Sequence, residues 1–325
     1  MTDKQNALEI IHFGRPERVV AGIRGYGLSY YGCDHQGYLG GGHDLLVGST
    51  WTDIWGTGWH KEQTGVMGFP RENPLADMTA LHDYAWPDPS DERICRQIYD
   101  LADQFPHDDR FLCGRHRDTL WEKAYMLVGM ENMMVYFHTE PDYAREILHR
   151  IMDFQMGIAQ HYLKLGIELA NLGDDLGTQS SLILSPDIID KFLVPEYERL
   201  FGLYRSRGVL IDFHSCGHIE PVLETLMDLG VNILNPVQAT ANDLAALREK
   251  TMGRMALSGA ISTKLLMEGP CELIVSEVRR TMWLLGRQGG YFCCPDQGLP
   301  FPEAHFAAYQ QTVEQYGIYP LKNRF

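Results

Sequence analysis

VLIDFHSCG, residues 209 to 217, sets the reading of everything around it. Val209, Leu210 and Ile211 form a short aliphatic run, the mark of a buried strand. His214 and Cys216 follow with only Ser215 between them. Side chains two apart on a strand leave the same face, roughly 6.6–7 Å apart at the backbone. An imidazole nitrogen and a thiolate so placed can converge on one zinc ion, with bonds of about 2.0–2.3 Å. Gly217 then lets the chain turn, and a helical pattern occupies residues 220–229. A ligand pair at the carboxyl end of a strand is where an α/β barrel carries its chemistry. Two ligands alone also fit a structural His and Cys. A second strand, residues 291–294, ends in Cys293 and Cys294 and offers a further thiol.

Outward from this stretch the chain alternates. Helical patterns at 93–105, 120–138 (interrupted by Gly129), 141–165, 185–207, 242–251, 271–287 and 302–316 separate strand-like runs at 111–113, 167–172, 231–234, 255–257 and 291–294. The helix at 141–165 opens on Pro141 and sets Ile147, Ile151, Phe154 and Ile158 on one face. Residues 18–23, RVVAGI, read as a first strand. Strands alternating with helices pair in parallel through right-handed crossovers. Seven or eight of them suit a closed (β/α)8 TIM barrel in one domain over residues 1–325, with an open doubly wound sheet as the alternative. The long Gly- and Tyr-rich segment 25–46 reads as a covering loop.

With 28 Lys and Arg against 43 Asp and Glu, the net charge is −15. That balance opposes nucleic-acid partners and anionic membranes. No apolar run reaches the ~18–20 residues of a membrane helix, and the first twenty residues are polar. Seven scattered cysteines make no disulfide framework. A soluble cytoplasmic protein acting on a small molecule is the expectation.

The other strand ends collect Asp174 and Asp175, Asn235 and Gln238, and Ser258. Paired Asp beside Gly serves either catalysis or loop capping, and Asn235 and Gln238 serve either a ligand or the loop backbone. Gly40–Gly42 lack the Lys-Ser/Thr of a phosphate loop, and His116-Arg117-Asp118 lacks the rest of a kinase signature.

LGDDLGTQSSLILSP (172–186), FHSCGHIEPVLETLMDLGVNILNPVQ (213–238), LSGAIS (257–262) and DIWGTGW (53–59) resemble the uroporphyrinogen decarboxylase superfamily, which includes corrinoid-dependent methyltransferases. The resemblance runs from about residue 15 to 316 and implies a (β/α)8 barrel with its site at the carboxyl end. Porphyrinogen decarboxylases use an arginine-rich segment near the amino terminus; here AGIRGYGLSYYG holds Arg24 alone. The methyltransferase branch binds zinc through H-x-C and a later Cys. His214 and Cys216 match the first two ligands. The family's later Cys falls on Gln297, so Cys294 is taken as third ligand, with Cys293 or Asp296 in reserve. The resemblance thus implies a zinc methyltransferase working with a corrinoid on a partner protein. Asp175 and Gln238 would orient the reacting groups; Asp174, Asn235 and Ser258 would line the binding site. The alternatives are porphyrinogen decarboxylation, with Asp53 or Asp175 stabilising a protonated pyrrole, and a non-catalytic tetrapyrrole- or corrinoid-binding protein.

Overall fold

Alternation along the strands decides what faces inward. In β7 (Leu210–His214), Ile211 and Phe213 are fully buried. Phe213 packs edge-on against Tyr197 of the helix Val194–Ser206 and lies tilted against its Phe201. Asp212 and His214, on the opposite face, line a central cavity. One period-2 pattern therefore serves two surfaces: an apolar one against the helices and a polar one toward the interior.

The computed structural model describes residues 1–33, 45–64, 68–106 and 108–322. Seven parallel strands form a curled sheet in the order β1 (Gly25–Leu28), β5 (Phe111–His116), β6 (Leu169–Gly173), β7, β8 (Ile233–Val237), β9 (Ala256–Ile261) and β10 (Tyr291–Pro295). The N–H of Cys293 in β10 donates to the carbonyl of Val20 at 2.9 Å, linking the last strand back to the segment that leads into β1. The expected barrel is thus realised as an α/β barrel-like sheet of seven hydrogen-bonded strands. Residues 18–23 are not its first strand: the ladder begins at Gly25, and Gly25–Leu28 pair with Phe111–Gly114. Half of the proposed covering loop, residues 34–44, lies outside the described residues.

DIWGTGW belongs to a small antiparallel sheet of β2 (Thr50–Thr52), β3 (Gly58–His60) and β4 (Phe69–Glu72). The helix expected at 120–138 is two helices, Trp121–Val128 and Met130–Thr139, because Gly129 between them adopts φ +92°. The helix Pro141–Lys164 buries Ile147, Ile151, Phe154 and Ile158 as its periodicity requires.

The amino-terminal helix Asp3–Ile11 closes the other end of the barrel. Its Ala7, Ile10 and Ile11 share an apolar cluster with Phe111, Leu169, Ile233, Ala256 and Phe292, which lie at or near the starts of five strands. A cavity of about 630 Å³ sits above this plug, toward the strands' carboxyl ends.

Candidate metal centre at the barrel mouth

Three donor atoms meet at the ends of β6 and β7. His214 Nε2 lies 3.5 Å from Cys216 Sγ and 3.5 Å from Asp175 Oδ1. Asp175, His214 and Cys216 are the one such group of His, Cys and acidic side chains among the described residues, all three within 4.8 Å of one another.

Local backbone packing brings them together. Gly217 adopts φ +87°, and a Cβ there would lie 2.3 Å from the carbonyl carbon of Gly177. A Cβ on Gly177 would in turn meet the His218 nitrogen at 2.7 Å. The loops after β6 and β7 thus touch backbone to backbone, which only glycine permits at both points. His218 N–H donates to Thr178 O (2.7 Å), Leu176 N–H to Ser215 Oγ (3.0 Å), and Cys216 N–H to Asp175 Oδ1 (2.9 Å).

Electrostatics couple the cluster. Burial works to lower the His214 pKa, but the hydrogen bonds to Asp175 and Cys216 outweigh it and hold it well above the ordinary imidazole value. Burial likewise pushes Asp175 up, yet hydrogen bonds from His214 and the Cys216 N–H leave its carboxyl below the usual range. Behind the imidazole, Nδ1 lies 3.1 Å from Asn235 Oδ1, and Asn235 Nδ2 donates to Asp212 Oδ1. Asn171 Nδ2 donates to the other Asp212 oxygen at 2.9 Å. The amide of Asn235 is oriented by the carboxylate, so it offers its oxygen to His214. Nδ1 therefore gives its proton to Asn235, and Nε2 is the nitrogen that faces Cys216 and Asp175.

The residues expected at the mouth separate into distinct groups. Asn235 supports His214 directly. Cys294 lies in the cavity wall with its Sγ 3.2 Å from Ser258 Oγ, outside the donor triplet, and burial pushes its thiol up to about 11. Cys293 faces the other way and is fully buried. Gln297 Nε2 sits 3.2 Å from Cys216 Sγ, so this amide is the group from β10's end that reaches the cluster. Asp296 accepts from Thr263 N–H and Oγ1 and caps the helix start there. Asp174 is fully buried and accepts from Leu120 N–H, Glu122 N–H and Tyr197 OH, bracing the helix at Trp121. Gln238 accepts the Gly217 N–H at 2.8 Å and steadies the β7 loop. Asp53 lies in its own turn, accepting from Trp55 N–H, Thr57 N–H and Trp59 Nε1.

Three cavity residues escaped the sequence reading: Arg115, Asn171 and Asp212. For Asp212 the signal was present, in the alternation Leu210, Asp212, His214. Arg115 lies beyond the strand-like run 111–113, on a strand that continues to His116.

The sequence model of the uroporphyrinogen decarboxylase (URO-D) family matches residues 119–316, about three fifths of the chain. The structure of a methyltransferase from Methanosarcina mazei superposes with a TM-score of 0.71 at 16% identity, over 97% of this chain and 99% of that one. A B12-independent methionine synthase from Shewanella sp. W3-18-1, in complex with selenomethionine, matches with a TM-score of 0.37 at 8% identity, over 77% and 67%. That likeness is too distant to carry an argument. No curated protein matches by sequence. No helix among the described residues is long and apolar enough to cross a membrane.

Proposed function

The chain belongs to the uroporphyrinogen decarboxylase family, and from that premise we propose a zinc-dependent methyltransferase. It would move a methyl group between a corrinoid held by a partner protein and a thiol or other small acceptor. The observation that carries this reading is the spacing of the donor triplet. Two zinc bonds of about 2.0–2.3 Å meeting at a tetrahedral angle separate their donor atoms by roughly 3.4–3.6 Å. His214 Nε2 stands 3.5 Å from both Cys216 Sγ and Asp175 Oδ1. The set fits zinc, with Asp175 in the place the sequence assigned to Cys294.

The same geometry disfavours a cysteine nucleophile run by an Asp–His relay. A relay needs the carboxylate on one ring nitrogen and the sulfur on the other. Here both face Nε2, and Nδ1 belongs to Asn235.

Asp175, His214 and Cys216 would hold the zinc, whose Lewis acidity would supply the lowered pKa an acceptor thiol needs to react as thiolate at neutral pH. The rest falls to the chain. Asn235 fixes the imidazole's tautomer and direction, as outer partners of metal ligands do. Gln297 donates to Cys216 Sγ. The glycine-packed loops hold Asp175 against Cys216, and the plugged barrel limits water to the mouth. In the transfer the acceptor sulfur supplies the electron pair of the new S–CH3 bond, and the pair of the broken bond stays with the donor. The Methanosarcina mazei protein of like fold is itself a methyltransferase, which supports the reaction class. Seven unpaired cysteines support a reducing cytoplasm.

The lining of the cavity disfavours porphyrinogen decarboxylation. Arg115 is the sole arginine lining the cavity among the described residues, too few for a polycarboxylate. Arg24 instead pairs with Asp3, and Asp53 is committed to its turn.

The test is direct. Zinc is measured in the purified protein and in Cys216→Ser, followed by methyl transfer from methylcobalamin to thiols. Stoichiometric zinc that is lost in the variant is expected; a protein with no affinity for zinc overturns the proposal.

A further inference from the structure

A second cavity, of about 570 Å³, lies outside the barrel, between the helix Cys271–Gly286 and the chain that follows the helix Glu303–Tyr316. It shares no lining residue with the cavity beneath the metal donors. Its size and its aromatic and aliphatic walls are those of a small-molecule site. Trp283, Tyr316, Ile318 and Leu321 supply the apolar surface, and Tyr316 and Ile318 are exposed. The backbone around them is tied down. Ile318 bridges Arg18, Val19 N–H donates to Gly317 O at 2.8 Å, and Tyr319 OH donates to Gly286 O at 2.6 Å.

The charge of this groove runs against that of the chain. Acidic residues outnumber basic ones by 43 to 28, yet the lining holds Arg279 and Lys322 and no acidic side chain. The Arg279 guanidinium lies 4.2 Å from the centre of the Tyr316 ring. That cation–π contact places the charge without neutralising it. Among the described residues neither Arg279 nor Lys322 forms an ion pair, whereas the adjacent Arg280 forks onto Glu277. Arg287, 5.9 Å from the Trp283 ring, adds a further positive charge beside the groove. A guanidinium laid flat on a ring keeps its N–H edge for a carboxylate, in the bidentate geometry that suits it.

We propose that this groove binds a small organic anion: an aromatic or branched apolar body against Trp283 and Ile318, with its carboxylate on Arg279. The inference does not depend on the methyltransferase reading or on zinc.

Calorimetric titration of the full chain at low ionic strength tests it with three probes. These are 2-naphthoate, 2-naphthalenemethanol (the same rings without the charge) and acetate (the charge without the rings). The naphthoate is expected to bind about tenfold or more tighter than either of the others. Arg279→Gln should reduce the naphthoate to the level of the alcohol, and Trp283→Ala should weaken both ring compounds, with thermal melting to show that each variant is folded. Arg115→Gln, which alters the central cavity, should leave all three unchanged. The proposal is overturned if the alcohol binds as tightly as the naphthoate, if no probe binds, or if Arg279→Gln keeps the preference. It is overturned equally if Arg115→Gln abolishes binding, which would put the anion inside the barrel. Sedimentation showing a dimer that Ile318→Asp splits would give the groove to a second copy of the chain and would also end it.

Discussion

Replacing Asn235 by Leu tests how the imidazole is aimed. Asn235 Nδ2 donates to Asp212, so the amide cannot turn over without setting its oxygen against that carboxylate. Its oxygen therefore receives the His214 Nδ1 proton at 3.1 Å and leaves Nε2 facing Cys216 and Asp175. Leu fills similar volume but accepts nothing, so the ring loses the group that fixes its tautomer and rotation. Loss of such an outer partner costs about 10–100-fold in metal affinity, or about 1.4–2.7 kcal/mol. Asn235→Asp keeps an acceptor for Nδ1 but sets a second carboxylate against Asp212, so it should recover only part of the loss. Zinc affinity is read by competition with a chromophoric chelator at pH 7.5, with thermal melting to show that each variant is folded. A folded Asn235→Leu protein that binds zinc as tightly as the parent would refute the account of His214, and with it the assignment of Nε2 as the coordinating nitrogen.

Gly217→Ala forces a side chain into the Gly177 backbone at a positive φ. It should lower zinc affinity and cost about 1–3 kcal/mol of stability, whereas Gly208→Ala (φ +71°, open space around it) should cost about 1–2 kcal/mol and leave zinc binding alone. Asp53→Ala strips three donors of their acceptor and should destabilise the fold by about 2–4 kcal/mol without changing zinc affinity; a specific loss of metal in this variant would reinstate Asp53 at the site. His116, hydrogen-bonded to Gln155 and Tyr204, is pushed down to about 4 by burial. The unfolded chain binds this proton near pH 6.5, so its contribution is present at pH 7 and is lost as pH falls toward 4, up to about 3 kcal/mol. Urea unfolding at pH 7.0 and 4.5 should therefore show a weaker acid dependence in His116→Gln than in the parent; parallel profiles would exclude this role.

The architecture was readable because it is written in periodicity. The four apolar residues at 147, 151, 154 and 158 commit one helix face to the sheet, and Leu210–His214 alternates between packing and cavity. The H-x-C pair was readable from its donor types, although the strand ends at His214 and Cys216 stands in the loop beyond it. What escaped depends on contacts between loops distant in sequence. Nothing local to Gly177 says that it meets Gly217, yet that contact is what carries Asp175 to Cys216. Cys294 shows the converse. Its residue type suits zinc, but the strand directs its sulfur to Ser258, and the amide of Gln297, three positions on, reaches Cys216 instead. Gly25 likewise displaced the first strand from its more apolar neighbour, because the ladder partner at Phe111 decides where pairing starts.

The helix that seats Ala7, Ile10 and Ile11 under the strands turns the interior into a cul-de-sac. If methyl transfer proceeds as proposed, a small acceptor bound deep inside would have to arrive before a bulky carrier covered the doorway, and its methylated form would leave only after that carrier departed. Traffic through a single portal imposes a compulsory sequence of arrivals, which steady-state kinetics would register as ordered binding of the two substrates.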